Sequence, residues 1–271
     1  MSNPNNFAVK HPLPIPPFQM RELVGPTDPA DYDNSDGDLL YRHLPHEMYS
    51  VVFDFGCGCG RLARRLMQQR PKPARYVGVD LHRGMIDWCR ENLQPLDNGF
   101  EFHHQDVFNR GFNPGSNKPR TCAFPVENAS FTLVIALSVF THLNQMQAEF
   151  YLREIARILR PGGYFVSTWF LFDKTDFPMM QEFQNTLFIN EEDPSNAVIF
   201  DKDWVRRQSK GSGLTIVRAE PPQIKGFHWH IEMRRSAPDL VEAEFPPDCA
   251  PRGIMRPPIG KEDPSKIGPK K

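Results

Sequence analysis

The sequence has few of the features that mark secreted, membrane-spanning or nucleic-acid-binding proteins. Its 271 residues include only five cysteines, an odd number, and the N-terminal stretch lacks an apolar signal core, so we expect reduced thiols and a cytoplasmic protein. The longest apolar run, residues 131–140, is far shorter than the ~20 residues of a membrane span. The formal charge is −1, from 32 basic and 33 acidic side chains, and it creates no long-range attraction for nucleic acid or anionic lipid. We therefore expect neither a nucleic acid nor a membrane as a partner.

Proline is abundant, and its distribution divides the chain. Of the 27 prolines, seven lie in residues 1–30 and eight in residues 237–271. Because proline interrupts helices and central strands, and the tail has few apolar residues to bury, we expect the tail to be largely irregular. We predict a proline-rich leader at 1–45 that forms a lid over the functional site, one folded domain at 46–236, and a proline-rich, partly disordered tail at 237–271.

The central region alternates short apolar runs with segments of helical period, a pattern typical of a parallel sheet covered by helices. We expect strands near residues 50–55, 75–80, 100–105, 131–138, 164–170, 214–220 and 227–235. We expect helices near residues 61–70, 84–93, 144–160, 177–188 and 201–209. Residues 107–130 are rich in glycine, proline and asparagine, and so long a loop is typical of the wall of a binding site.

A glycine-rich turn, Asp54-Phe55-Gly56-Cys57-Gly58-Cys59-Gly60-Arg61, separates the first strand from the first helix. Glycines suit such a turn because a ligand can approach bare backbone there. They stand at every second position, which differs from the G-x-G-x-x-G spacing of dinucleotide-binding turns. Asp80 ends the second strand, where a carboxylate can bind the hydroxyl groups of a ribose. Dinucleotides and other nucleoside cofactors both carry such a ribose, so Asp80 does not discriminate between them.

Five segments in order carry a family resemblance: VVFDFGCGCGRLARRL, VGVD, QDV, NASFTLVIALSVFTHL and REIARILRPGGYFVSTWF. The chain resembles the class I S-adenosylmethionine-dependent methyltransferases, of the small-molecule type similar to methyltransferase domains 11, 12 and 25. This resemblance implies a Rossmann-like, doubly wound α/β fold of three layers. It also implies a seven-stranded sheet of order 3-2-1-4-5-7-6 with strand seven antiparallel, and S-adenosyl-L-methionine as the cofactor.

The resemblance further implies which residues hold that cofactor. The glycines of the turn bring the backbone close to the methionyl part, Asp54 meets the ammonium or braces the turn, and Asp80 holds the ribose. Asp106 and Val107 frame the adenine. The full set of expected cofactor-binding residues is Asp54, Gly56, Cys57, Gly58, Gly60, Asp80, Leu81, Asp106, Val107, Leu137 and Ser138.

His142 is the candidate catalytic residue, because it follows the fourth strand on the side where cofactor and acceptor meet. An unperturbed imidazole titrates near pH ~6.5 and is able to act as a general base. The alternative is that His142 caps the next helix or lines the cofactor site without moving protons. We expect the His43/His46 and His228/His230 pairs to be surface or edge-strand residues, and we expect no metal site.

The predicted function is metal-independent methyl transfer to a small-molecule acceptor, in which we favour a hydroxyl group of a sugar or a secondary metabolite. The fourth strand ends in Ala136-Leu137-Ser138-Val139, which is unlike the Asn-Pro-Pro-Tyr type motif of enzymes that methylate nucleic-acid bases and has no carboxylate for magnesium. Methylation of nitrogen or carbon on the same fold remains an alternative. So do a non-catalytic S-adenosylmethionine-binding scaffold and, least favoured, an NAD-dependent oxidoreductase. The sequence does not define the oligomeric state.

Overall fold

A computed structural model describes residues 13–190, 192–235 and 240–249. The strands in these ranges are β1 Val51–Phe55, β2 Arg75–Asp80, β3 Phe100–His104, β4 Phe131–Ala136, β5 Leu159–Phe172, β6 Thr186–Phe188, β7 Val198–Asp201, β8 Leu214–Glu220 and β9 Trp229–Arg235. The α-helices are α1 Phe18–Val24, α2 Arg61–Gln68, α3 Arg83–Asn92, α4 Gln145–Ile158 and α5 Lys202–Gly211.

The main sheet runs in the order β3-β2-β1-β4-β5-β9-β8. Strands β1 to β5 are parallel to one another in this sheet, whereas β9 is antiparallel to both β5 and β8. Counted along the chain, β8 and β9 are the sixth and seventh strands of the main sheet. The predicted order 3-2-1-4-5-7-6, with strand seven antiparallel, is therefore confirmed.

Two apolar cores lie on opposite faces of this sheet, because neighbouring residues of a strand point to opposite sides. In β1, Phe53 packs in the core that contains residues of α4 and α5, whereas Val52 packs in the core that contains residues of α2 and α3. In β4, Val134 packs in the core with α4 and α5, and Ile135 packs in the core with α2 and α3. Helices on both faces give the three-layer α/β/α arrangement.

The expected helix near 177–188 is wrong, because this segment contributes a strand to a small additional sheet. Strand β5 continues to Phe172, and its end pairs in parallel with β7, which pairs antiparallel with β6. The hydrogen bonds of this ladder outweigh a weak local helical pattern. The insertion at 173–197 thereby lies at the carboxyl end of β5, next to the ends of the central strands.

The expected helix near 144–160 and the expected strand near 164–170 are not separated by a turn at Pro161-Gly162-Gly163, because β5 begins directly after α4. Helix α4 ends at Ile158, and the three residues form an irregularity within β5, where the register to β4 shifts. Gly162 has a φ of 76°, which glycine adopts without strain.

The described part of the leader packs against the folded domain. Arg64 of α2 is buried, and its guanidinium donates hydrogen bonds to the carbonyl groups of Leu13, Pro14 and Tyr32. Three carbonyl acceptors on one buried cation hold the leader in place, since a buried charge must be compensated.

The tail is described only at residues 240–249, which contain neither a helix nor a strand. Phe245 packs on Trp229 of β9, with ring centroids 5.9 Å apart. The rest of the predicted tail, and with it most of the expected disorder, lies outside the described residues. Within the described ranges, no helix has the length and apolarity to cross a bilayer.

Candidate active site

A cavity of about 200 Å³ opens at the carboxyl ends of β1, β2 and β4. This is the edge where parallel α/β sheets generally bind their ligands. Ten of the twelve predicted site residues line it: Asp54, Gly56, Cys57, Gly58, Asp80, Leu81, Val107, Leu137, Ser138 and His142. Gly60 and Asp106 lie outside the lining.

The glycine-rich turn follows β1 and forms the floor of the cavity. Gly56 has a φ of 79°, and a Cβ atom there would lie 2.4 Å from Cγ2 of Val139. At Gly58, with a φ of 52°, a Cβ atom would lie 2.8 Å from Cγ1 of Val24 in the leader. Side chains other than glycine would therefore strain the backbone and clash at both positions.

Gly60 has a different role, since it precedes α2 in the left-handed conformation. A Cβ atom at Gly60 would lie 2.6 Å from Cδ1 of Leu93 and 3.0 Å from the Cys89 Sγ atom. Gly60 thus allows α3 to pack closely against the turn, and its contact with a cofactor stays a prediction.

Asp54, at the end of β1, is almost completely buried. Burial raises the pKa of its carboxyl group to about 7, although the Tyr76 hydroxyl donates a hydrogen bond to its Oδ2 atom at 2.7 Å and favours the anion. Because desolvation penalises the carboxylate, a cation in the cavity would favour its ionised form.

Asp80 is held by the backbone around it. Its two carboxylate oxygens accept hydrogen bonds from the N–H groups of Gly58, at 2.8 Å, and His82, at 2.7 Å. Burial raises the pKa of this carboxyl group as well. Each carboxylate oxygen has a further lone pair, so the fixed carboxylate can accept hydrogen bonds from ligand hydroxyl groups.

Asp106 is exposed and accepts a hydrogen bond from the Asn113 side chain at 3.1 Å. That bond, with one from Ser116, lowers the pKa of its carboxyl group. Its neighbours Gln105 and Val107 line the cavity instead. Gln105 and Val107 are buried, whereas Asp106 between them is exposed, so its side chain points away from the cavity. The predicted adenine contact of Asp106 stays a prediction.

His142 ends a short 3₁₀ turn that begins at Phe140. Its Nδ1 atom lies 3.1 Å from the carbonyl oxygen of Ser195, in the insertion between β5 and β7. Because a carbonyl oxygen only accepts, Nδ1 carries the proton, and in the neutral ring Nε2 keeps a free lone pair. Burial lowers the pKa of His142, so this neutral form predominates at pH 7. The arrangement gives the cavity a side chain able to accept a proton.

Sequence reasoning predicted the leader, including Leu23, and the 107–130 loop as walls, but it did not identify their other contact residues. Leu23 and Val24 of the leader line the cavity, as do Phe108, Phe112 and Arg120 of the loop. No motif marks these residues, because they reach the cavity only through tertiary folding. Tyr151 and Gln147 of α4 were missed for the same reason.

The histidine pairs also differ in part from the expectation. His43 bonds through Nε2 to the Glu232 carboxylate at 2.6 Å, and His228 lies 3.3 Å from the Ser138 hydroxyl. Among the residues that the structure describes, no group of three or more histidine, cysteine, aspartate or glutamate side chains has a geometry suited to a metal ion.

The cavity fits a cationic nucleoside cofactor. Its floor is a turn in which bare backbone meets the ligand, and two carboxylates with fixed hydrogen bonds, Asp54 and Asp80, stand at its edge. Arg61 lines the same region and offers a cation to a ligand carboxylate.

Comparison with known proteins agrees with this geometry. Residues 52–163 match the family model described as a methyltransferase domain. The fatty-acid O-methyltransferase of Mycolicibacterium smegmatis is 33% identical over 117 residues, covering 43% of this chain and 36% of that protein. Phthiotriol/phenolphthiotriol dimycocerosates methyltransferase 1 of Mycobacterium ulcerans is 32% identical over 160 residues, covering 56% of this chain and 49% of that protein.

Solved structures show the same fold. A geranyl diphosphate methyltransferase in complex with GPP and sinefungin aligns with a TM-score of 0.52 at 11% identity, covering 69% of this chain and 72% of that chain. The geranyl diphosphate C-methyltransferase of Streptomyces coelicolor aligns with a TM-score of 0.51 at 12% identity, covering 69% of this chain and 71% of that chain. The chain spans half or less of the two curated relatives described above. The match over residues 52–163 and the curated relatives support the resemblance of this chain to the class I S-adenosylmethionine-dependent methyltransferases.

Proposed function

We propose that this protein transfers the methyl group of S-adenosylmethionine to an oxygen atom of a small-molecule acceptor with an apolar body, and that His142 takes up the acceptor's proton. The observation that carries this proposal is the hydrogen bond between Nδ1 of His142 and the Ser195 carbonyl, which leaves the Nε2 lone pair of this cavity-lining residue to accept a proton. A hydroxyl acceptor requires such a base, because its oxygen becomes an effective nucleophile only as the proton leaves.

The cofactor supplies an activated methyl group when bound, so the protein's main task is placement. Asp54 would pair with the ammonium group, Asp80 would accept hydrogen bonds from the ribose hydroxyls, and the glycine turn would admit the methionyl part. Holding two reactants in line contributes up to about 7–11 kcal/mol in well-oriented systems.

His142 would act in its neutral form. Because burial lowers its pKa below the ordinary 6.5, the base is available throughout the neutral pH range. Turnover should decline only as acid protonates the ring, which happens below about pH 6.5.

The lining favours an acceptor with an apolar body. Leu23, Phe108, Phe112 and Leu143 contribute large apolar surfaces to the cavity. Two relatives carry names that specify a fatty acid and dimycocerosate lipids, which supports this class for the present chain. Of the acceptors considered from the sequence, we therefore favour an apolar secondary metabolite over a sugar.

An assay with isotopically methyl-labelled S-adenosylmethionine tests the proposal. The acceptors would be aliphatic alcohols, phenols, fatty acids, monosaccharides and amines of similar size. We expect label in the alcohols or phenols. Transfer to fatty acids alone would support oxygen methylation but contradict His142 as the base, because a carboxylate has no proton to give up. Transfer to amines alone would contradict oxygen methylation, and transfer to monosaccharides alone would contradict the apolar acceptor. Binding of S-adenosylhomocysteine without any transfer would favour the scaffold alternative.

A further inference from the structure

Ser138 holds an unusual backbone conformation at the mouth of the cavity. It lies two residues beyond the end of β4 with a φ of 58°, a left-handed value that is uncommon for residues other than glycine. Its N–H group donates a hydrogen bond to the Thr168 hydroxyl of β5 at 2.7 Å. A left-handed conformation costs an L-residue roughly 1–2 kcal/mol, so the surrounding contacts must maintain it. The result is an exposed serine hydroxyl at the cavity.

His228 holds that hydroxyl from one side. The Nε2 atom of His228 lies 3.3 Å from the Ser138 Oγ atom, and the imidazole stacks on the ring of Phe170 with centroids 4.7 Å apart. Burial lowers the pKa of His228, and the nearby His142 and His230 lower it further, so the ring is neutral at pH 7. Stacking on Phe170 fixes the plane of the neutral His228 ring. The fixed ring in turn sets the direction of its hydrogen bond to the Ser138 hydroxyl.

Both partners of Ser138 lie away from the cofactor turn. In the main sheet, β4 stands between β1, which leads into the glycine turn, and β5, which is followed by β9. Thr168 belongs to β5, and His228 directly precedes β9. Ser138 is thus held through its backbone N–H and its hydroxyl by residues on the side of β4 away from the glycine turn.

From this placement we infer that Ser138 binds the methyl acceptor and that His228 is a positioning residue that orients its hydroxyl. The inference rests on the proposed function and narrows the acceptor class. With one hydrogen bond made to His228, the Ser138 hydroxyl can still make another to an acceptor atom. Because His142 serves the reacting oxygen in the same cavity, we expect the acceptor to carry a second oxygen, as in a diol.

Steady-state kinetics with the acceptor found in the labelling assay test the inference. Ser138→Gly removes the hydroxyl but suits the left-handed backbone. We expect it to raise the acceptor KM by about tenfold, the usual worth of one hydrogen bond, and to leave S-adenosylhomocysteine affinity unchanged. His228→Leu should raise KM similarly, and His228→Gln should restore it, because its amide can still bond to Ser138. His230→Gln is the matched control, since His230 lies two residues further along the chain, in β9, and is exposed.

Two kinetic outcomes would overturn the inference. Loss of S-adenosylhomocysteine affinity in Ser138→Gly, with the acceptor KM unchanged, would assign Ser138 to the cofactor. An unchanged KM in His228→Leu would remove His228 as a positioning residue. Thermal melting of each variant identifies any change that comes from unfolding.

A binding experiment keeps the inference testable if no acceptor is methylated, an outcome that would count against the proposed function alone. Octanoate and 1,2-octanediol would be added to the ¹⁵N-labelled protein saturated with S-adenosylhomocysteine. We expect at least one probe to shift the His228 ring-nitrogen signals in the wild type but not in Ser138→Gly, with His230 unaffected. Wild-type protein in which neither probe shifts His228 would overturn the inference.

Discussion

The two halves of the cavity are built in different ways. The half that we propose for the cofactor, called the cofactor half, uses the ends of adjacent strands and a turn of consecutive residues, 54–61, and its shape depends on backbone conformation and two fixed carboxylates. The half that we propose for the acceptor, called the acceptor half, uses side chains from the leader and the 107–130 loop, and a backbone carbonyl of the 173–197 insertion holds His142. The first half thus depends on local chain geometry, and the second depends on how loops meet.

The largest expected effect tests whether the halves are separable. His142→Gln removes the base but keeps a side chain able to hydrogen-bond, so we expect turnover to fall about 10²- to 10⁴-fold. Affinity for S-adenosylhomocysteine should stay unchanged, because the cofactor half is intact. Calorimetry and initial rates measure the two quantities. His46→Gln, with a side chain that is 70% exposed, is the control. Equal losses of binding and turnover would show that the halves are not separable.

The second prediction concerns the backbone of the cofactor half. Gly56→Ala introduces a Cβ atom 2.4 Å from Val139 at a φ of 79°, and we expect about a 100-fold loss of S-adenosylhomocysteine affinity as the turn shifts by steric strain. Isothermal titration gives the affinity, and circular dichroism confirms that the variant is folded.

Gly115→Ala is the matched control for this change, because Gly115 lies in the 107–130 loop with no atom within 4 Å of an added Cβ. The Gly115→Ala variant should bind S-adenosylhomocysteine with the affinity of the wild type. A folded Gly56→Ala protein with unchanged affinity would contradict the assignment of the turn to the cofactor.

The third prediction is that Asp54→Asn changes cofactor affinity and thermal stability in opposite directions. Because burial raises the pKa of Asp54 from 3.8 to about 7, the folded state binds this proton more tightly than the unfolded state. The free energy of unfolding therefore falls as pH rises from about 4 to about 7, by a few kcal/mol. We expect the variant to melt at a higher temperature than the wild type at pH 8, yet to bind S-adenosylhomocysteine about tenfold more weakly.

Scanning calorimetry at pH 5 and pH 8 checks the stability part of this prediction. The difference between variant and wild type should be larger at pH 8. Asp31→Asn, at an exposed leader position, should change neither quantity. A wild type that is more stable at pH 8 than the Asp54→Asn variant would contradict the role of burial.

The smallest effect is expected where the leader meets the cofactor half. Val24→Ala removes two methyl groups from the surface above Gly58, and we expect S-adenosylhomocysteine affinity to fall by up to about tenfold because less apolar surface covers the ligand. Val241→Ala, at a side chain that is 85% exposed, serves as the control in the same titration. Identical affinities for both variants would mean that the leader is not part of the cofactor site.

The sequence predicted the cofactor half much better than the acceptor half. The turn at 54–61 and the carboxylate at Asp80 follow from local patterns whose residues are neighbours along the chain, whereas the sheet order was implied by the family resemblance. The segment 177–188 was predicted incorrectly because pairing with β7 decides its structure. Ser138 and His228, which form a hydrogen bond, lie 90 residues apart in the sequence. No local sequence pattern predicts a contact over that separation.

The most direct test of the cofactor assignment is a calorimetric titration of the purified protein with S-adenosylhomocysteine and, separately, with NAD. The glycine turn with Asp54 and Asp80 predicts binding of S-adenosylhomocysteine at one site per chain and no binding of NAD. Binding of NAD without binding of S-adenosylhomocysteine would contradict the account.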